Sequence, residues 1–469
     1  MPSPHAGSGR GPHAFDPRDW IVDPRATLDD LPEVFEDDEV VPRRLRVRAE
    51  GRTLAENARS IGAYLSKYRR GRSSAASATL RHFEAARDRV RRERVPRHGV
   101  PADGEVTLGL VGDLMWLRRG WASFASPLLR VVMDHTDVWL GNLETPIHRA
   151  SPVRGLLPDY VRYNAPPDLL HALRRIDGRP RFDALSVANN HALDQGDEGA
   201  RDTLAVLRES GTLPVGLRED PAAPRWVCVE AGGFRIGVYA ATWGLNDPRR
   251  LESTRLHVEV VPGLAPVGAR PVDLAGVRSA LAEMGEARVD LRVVYLHWGH
   301  EYELYPDPLQ LAVAREIAHA GADIVAGAHA HVPQPPEILR VRDGAGERRA
   351  LVLYSLGNFA SAMMTLPTRT GLFETLTLRR GPRGRVEWDL HPPLFVVNQR
   401  AGTVAGDHRL RLAEELAEDR HLPFAHRRRV AAWFDTLRAH VAVPGLFEHA
   451  PHELLANSSR AAHASVTLL

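Results

Sequence analysis

Seven short apolar runs in this chain each close in a polar or histidine-bearing motif, and that recurrence restricts the fold more than any other feature. The runs end at Gly112-Asp113, Gly141-Asn142-Leu143-Glu144, Asn189-Asn190-His191, Ala241-Thr242-Trp243, His297-Trp298-Gly299-His300, His329-Ala330-His331 and Ser355-Leu356-Gly357-Asn358. Short apolar runs bounded by Gly or polar residues read as fully buried strands. In an α/β sheet, ligands gather beyond the carboxyl ends of the strands. Side chains distant in the chain are therefore expected to meet at one edge of one sheet.

The spacing predicts strands at 106–111, 137–141, 183–188, 226–230, 234–241, 291–296, 323–326 and 350–355. Helical stretches fall near 123–135, 166–175, 197–210, 272–285 and 308–320. Such alternation implies a layered α/β architecture. Gly232-Gly233, between two strand-like runs, reads as a hairpin and makes part of the sheet antiparallel. Around this core, residues 1–15 read as disordered and 16–98 as a helical, basic extension. Val95 to Pro101 is a linker, 105–400 the main domain and 401–469 a C-terminal extension that is helical from Asp407 to about His440.

The 469 residues suffice for a large core. A net charge of +2 over that length excludes a chain built throughout as a polyelectrolyte binder. The stretch from Lys67 to Arg97 is locally basic, with eleven basic residues against three acidic ones. It reads as the solvated face of a packing helix rather than a nucleic-acid site, and no nucleic-acid partner is expected. Cys228 is the single cysteine, so no intramolecular disulfide can form, which suits a cytoplasmic location. No signal-peptide pattern opens the chain, and no run approaches the roughly 18 apolar residues of a membrane span. The expectation is a cytoplasmic protein without a membrane anchor. Its oligomeric state is open.

Several motifs carry metal-ligand chemistry. Asn189-Asn190-His191 offers amide oxygens and an imidazole together, and Asp194, three residues on, is placed to orient the His191 ring. His329 and His331 are two apart, so in an extended segment both rings point to one side. Gly327 gives the backbone room just before them, and Gly112 permits a sharp turn at Asp113. Mixed imidazole and carboxylate ligands suit manganese, zinc, iron or calcium, among which residue types do not choose.

In order, Gly112-Asp113-Leu114-Met115, Asn142-Leu143-Glu144, Asn189 to Asp194, His297-Trp298-Gly299, Gly327 to His331 and Ser355 to Phe359 resemble the capsule-synthesis CapA family. That family is similar to the calcineurin-like metallophosphoesterases, and the resemblance implies a four-layer α/β/β/α sandwich with a two-metal site. Carried over by motif, Asp113 and His331 would serve the first metal and Glu144 would stand where a bridging carboxylate is expected. Asn190, His297 and His329 would complete the second, and His191 would be the acid near the leaving group. The family's Asp-x-His is here Asp113-Leu114-Met115, and Met is a poor ligand for a hard ion. One tight metal, at Glu144, Asn190, His297 and His329, and a second that is weak or absent are therefore expected.

The resemblance implies a peptide or γ-glutamyl substrate. The better-known members help make poly-γ-glutamate and carry a membrane anchor. A branch without one resembles epimerases that invert a residue of ribosomal lasso peptides, where one metal and two opposed acid/base groups are enough. His191, Asp113, His331, His300 and Glu301 are the candidates for that work. Three functions stay open: acid/base chemistry on such a chain, with epimerisation at Cα its sharpest form; hydrolysis of a phosphate ester or amide; and a non-catalytic accessory role in polymer synthesis. Trp116, Trp243 and Trp298, beside the motifs, either line a peptide groove or belong to the core.

Overall fold

The structure is a computed structural model that describes residues 14–15, 75, 77–96, 102, 104–115, 124–151, 163–175, 177–264, 271–343, 346–363, 365–381, 384–400 and 408–443. Expectations for the charged and helical segments before residue 75, for most of the 95–101 linker, for Trp116 and for the tail beyond Pro451 lie outside the described residues.

The principal strands are β1 (Val106–Leu114), β2 (Val138–Leu143), β3 (Ala184–Ser186), β4 (Leu213–Val215), β5 (Trp226–Ala231), β6 (Phe234–Thr242), β7 (Leu291–His297) and β8 (Ile324–Ala328). They continue with β9 (Glu337–Asp343), β10 (Gly346–Leu353), β11 (Asn358–Ala360), β12 (Thr370–Arg380), β13 (Val386–Leu390), β14 (Leu394–Arg400) and β15 (His408–Leu412). Among the described residues they form a six-stranded sheet, ordered β9-β10-β8-β7-β6-β5, and a nine-stranded one along β15-β14-β12-β1-β2-β3-β4. In the first, β6, β7, β8 and β10 run parallel; in the second, β1 to β4 do. The Gly232-Gly233 hairpin joins β5 and β6 as an antiparallel pair.

Three apolar layers make the stack. Leu108 and Leu110 of β1, Ile236 and Val238 of β6 and Val293 of β7 are buried together between the sheets. The nine-stranded sheet buries its other face, with Val111, Trp139 and Leu185, against helices α2 (Pro127–Asp134) and α3 (Gly196–Glu209). The six-stranded sheet does so, with Tyr239, Val294 and Val325, against α1 (Ser77–Glu93), α4 (Ala275–Glu286) and α5 (Pro308–His319). Parallel strands covered on both sides read as continuous apolar runs, which is why periodicity found them. The result is a four-layer α/β/β/α sandwich.

Local differences from the sequence reading have physical causes. The stretch from 407 is not helical throughout: Leu410 and Leu412 are fully buried and alternate with arginines, so β15 pairs antiparallel with β14. Helices α6 (Ala413–Glu418) and α7 (Phe424–His440) follow, the second starting after Pro423. The helix near 166–175 shortens to Asp168–Ala172. Gly112 makes no turn. It lies inside β1, where a Cβ would stand 1.9 Å from the carbonyl oxygen of Gly357. Its lack of a side chain lets the two backbones cross.

Candidate metal centre

The parallel strands of both sheets point their carboxyl ends the same way, so the polar motifs gather between two sheets rather than at the edge of one. Asp113 ends β1 and Glu144 follows β2; Asn190 and His191 follow β3; His297 closes β7; His329 and His331 follow β8. All are buried.

Two groups of side chains bring their ligand atoms within 4.8 Å of one another: Asp113, Glu144 and His297, and Glu144, His329 and His331. Glu144 belongs to both. Asn190 adds an amide oxygen 2.8 Å from His297 Nε2. The resemblance implies a different division, with His329 beside His297; their ring centroids are 4.6 Å apart. His329 and His331 do not sit in an extended segment. The strand ends at Ala328, and their φ values of 91° and 57° are left-handed. Two non-glycine residues in that region are costly unless the surroundings impose them, and such strain collects at functional sites.

Electrostatics divides these groups. Burial works to raise Asp113, but the hydrogen bond and charge of His331, with His297 and Asn142, hold it below the ordinary carboxylate value. Asp113 Oδ1 accepts from Asn142 Nδ2 at 2.8 Å, and Oδ2 from the His329 backbone N–H at 3.1 Å. Burial lowers His297 to about 3. Burial also opposes charge on His331, yet Glu144, Asp113 and Glu301 raise it to about 10. Glu144 is pushed well above the usual range, first by burial and then by Asp113, Glu301 and Asp194, against the pull of His331.

Glu144 provides the test of whether a metal fits. Neither carboxylate oxygen accepts a hydrogen bond, and His297 and His331 approach only to 3.5 and 3.6 Å. A buried carboxylate without donors is strongly disfavoured unless a cation meets it. The surrounding donors are carboxylate oxygens, imidazoles and an amide oxygen, a set that suits a divalent ion. The residues fit.

His191 stands outside both groups, its Nε2 4.0 Å from Glu144 Oε1. Its Nδ1 is 2.6 Å from Asp194 Oδ2, the pairing their spacing suggests. Glu301 is also outside the groups and approaches His331 Nε2 to 4.0 Å. His300 turns to Asp307, the N-cap of α5, at 3.4 Å. Met115 lies in the apolar cluster beside α2, so that position supplies no ligand. Trp298 is core, stacked on Tyr354 and donating to its carbonyl oxygen at 3.0 Å. Trp243 is buried 5.8 Å from the His329 ring.

Four site residues received no role from the sequence. Asn142 lies between Asp113 and His297, and Asn358 Oδ1 is 3.0 Å from His331 Nδ1. Tyr163 stacks on His191 at 3.7 Å, and the Asn246 side-chain nitrogen comes within 3.4 Å of both ring nitrogens. The first two stand in strand-end motifs, where their amides were the available signal. Nothing in the sequence marks Tyr163 or Asn246.

Two stacked sheets with buried carboxylates and imidazoles at their common carboxyl end define a protein of the metallophosphoesterase-like fold. The chain belongs to the family described as bacterial capsule synthesis protein PGA_cap, which it matches over residues 107–363. It is similar to the capsule biosynthesis protein CapA of Bacillus anthracis, at 28% identity over 54% of this chain and 59% of that one. Similarity to the PGA biosynthesis protein CapA of Bacillus subtilis is 25% identity over 62% of this chain and 73% of the relative. A probable polyglutamine synthesis accessory protein of Mycobacterium tuberculosis matches at 34% identity over 44% of this chain and 52% of its own length. The chain thus spans 59% of the anthrax relative. No helix among the described residues is long and apolar enough to cross a membrane.

Proposed function

We propose that this chain is a metal-dependent acid/base enzyme that cleaves or transfers the amide bond of a peptide or γ-glutamyl chain. The observation that carries the reading is Glu144, buried without a hydrogen-bond donor and shared by two groups able to hold a metal. Asp113, Glu144, Asn190, His297, His329 and His331 would hold the metal, which when bound would supply Lewis-acid polarisation of the substrate carbonyl. His191, oriented by Asp194, then delivers a proton to the departing nitrogen. Water supplies hydroxyl to the carbonyl carbon, the C–N bond breaks, the amine leaves with the proton given by His191, and the remaining proton of the water restores the His191 imidazole. The γ-glutamyl substrate class follows the resemblance to the CapA family; the relatives are named as a PGA biosynthesis protein and a probable polyglutamine synthesis accessory protein.

A second reading, proton exchange at Cα in a ribosomal lasso-type peptide, is favoured by one observation. His191 approaches one oxygen of Glu144, while the other oxygen faces His331 and, behind it, Glu301. Acid/base groups thus stand on two sides of the metal carboxylate. Metal stoichiometry after chelation and reloading with manganese or zinc, followed by assay on short γ-glutamate oligomers, tests both readings. Amine release with one tightly held ion per chain is the expected result. Deuterium uptake at Cα in heavy water without amine release would replace cleavage by epimerisation. A chain that binds metal but does neither would be a non-catalytic partner of polymer synthesis.

A further inference from the structure

We propose that Asn246 is a positioning residue that joins the metal centre to the acid, one end of its amide turning the oxygen of Asn190 inward and the other bearing on His191, which Tyr163 backs. Only the role given to His191 rests on the functional reading above; the contacts do not.

An asparagine amide has two ends of nearly equal size, and only its oxygen can bind a metal. Something must therefore choose which end of Asn190 faces the ligands. Asn190 Nδ2 donates to Asn246 Oδ1 at 3.1 Å, which leaves Asn190 Oδ1 on the side of His297, 2.8 Å from its Nε2. Reversing Asn190 would set two amide oxygens against each other and aim an NH2 group at the cation. The backbone fixes the register of this pair, because Asn246 N donates to Asn190 O at 3.0 Å.

The free end of the same amide serves the neighbouring residue. Asn246 Nδ2 lies 3.4 Å from Nδ1 and 3.3 Å from Nε2 of His191. Tyr163 stacks on that ring with 10° between the planes. Tyr163 is fastened to the histidine's own motif: its N–H donates to Asp194 Oδ2 at 2.7 Å, and Gln195 Nε2 donates to its carbonyl at 2.8 Å. Asp194 therefore holds His191 and Tyr163 together. An acid so confined loses little freedom on reaching its substrate. The loop after β6 thus sets the orientation of one residue after β3 for binding and of the next for proton transfer.

The test uses manganese alone as probe, with calorimetric affinity, and spectra of the His191 ring in protein labelled at histidine. Outer-shell partners of metal ligands are typically worth ~10–100-fold in affinity. Asn246→Ala is expected to weaken manganese binding by about tenfold or more and to shift the His191 resonances. In Asn246→Asp a carboxylate oxygen still accepts from Asn190, so affinity is expected to be no weaker than in the parent, while the His191 signals move. Tyr163→Leu should move those signals and leave manganese affinity unchanged, and Tyr163→Phe should restore the parent spectrum. Equal losses of affinity in Asn246→Ala and Asn246→Asp would overturn the orienting role, and an unmoved His191 spectrum in Asn246→Ala would overturn the link to the acid. None of these readouts uses a substrate, so failure to turn over γ-glutamate oligomers would sink the functional reading without touching this one.

Discussion

Glu144 and Glu337 are buried to the same degree, with side-chain exposures of 0% and 1%, and they behave as opposites. Glu337, on the outer face of the six-stranded sheet, meets His82 at 3.1 Å, Arg315 at 3.0 Å and the Tyr354 hydroxyl at 2.9 Å. Burial alone would raise it; those partners hold it at about 2. Glu144 has no donor and is pushed the other way. The first arrangement is complete as folded and fastens α1 and α5 to the sheet. The second calls for a cation, and that demand separates a binding centre from a structural ion pair.

The largest expected effect tests Glu144. Glu144→Gln should lower divalent-metal affinity by more than about a hundredfold, the upper end for outer-shell partners, with no loss of stability in the metal-free protein. A variant that still holds manganese like the parent would remove the distinction. Glu337→Gln should do the reverse, leaving metal content intact and destabilising the fold by about 3–5 kcal/mol in urea titration, because Arg315 loses its counter-charge.

Acid sharpens the contrast. Glu337 is depressed from 4.5 to about 2 on folding, so its stabilisation is complete above 4.5 and is lost as pH falls toward 2. Each tenfold change in proton affinity is worth about 1.4 kcal/mol, so the parent should lose about 3 kcal/mol more than Glu337→Gln across that window. Matching acid-denaturation curves would contradict the pairing. The smallest effect on the metal belongs to His191→Ala, which should keep metal affinity unchanged while turnover of γ-glutamate oligomers disappears. Loss of metal there would make His191 a ligand.

Much of the fold was legible because its central strands are parallel and covered on both faces, which leaves uninterrupted apolar runs such as Leu291 to Leu296. Strand β15 was not, since Arg409-Leu410-Arg411-Leu412 is short and sits before a run of good helix formers. Strand β9, at the edge of its sheet, and the antiparallel strands β12 to β14 mix charged, polar and apolar residues, so no uninterrupted apolar run marked them. At the site, the histidines and carboxylates announced themselves by chemistry and position. Asn246 and Tyr163 did not, because an amide and a phenol ring acquire their meaning only from what stands opposite.

Sequence alone determined the inventory: which strands end in candidate ligands, that Met115 stands where the resemblance implies an imidazole, and the family to which residues 107–363 belong. Tertiary structure decided the arrangement. Stacking two sheets brought both sets of strand ends to one place, left-handed backbone at His329 and His331 turned their rings onto Glu144, and burial left that carboxylate without a donor. The physical reason is that strand pattern is local and periodic. Desolvation and mutual distance depend on what the rest of the chain packs around a group, and no stretch of sequence contains that by itself.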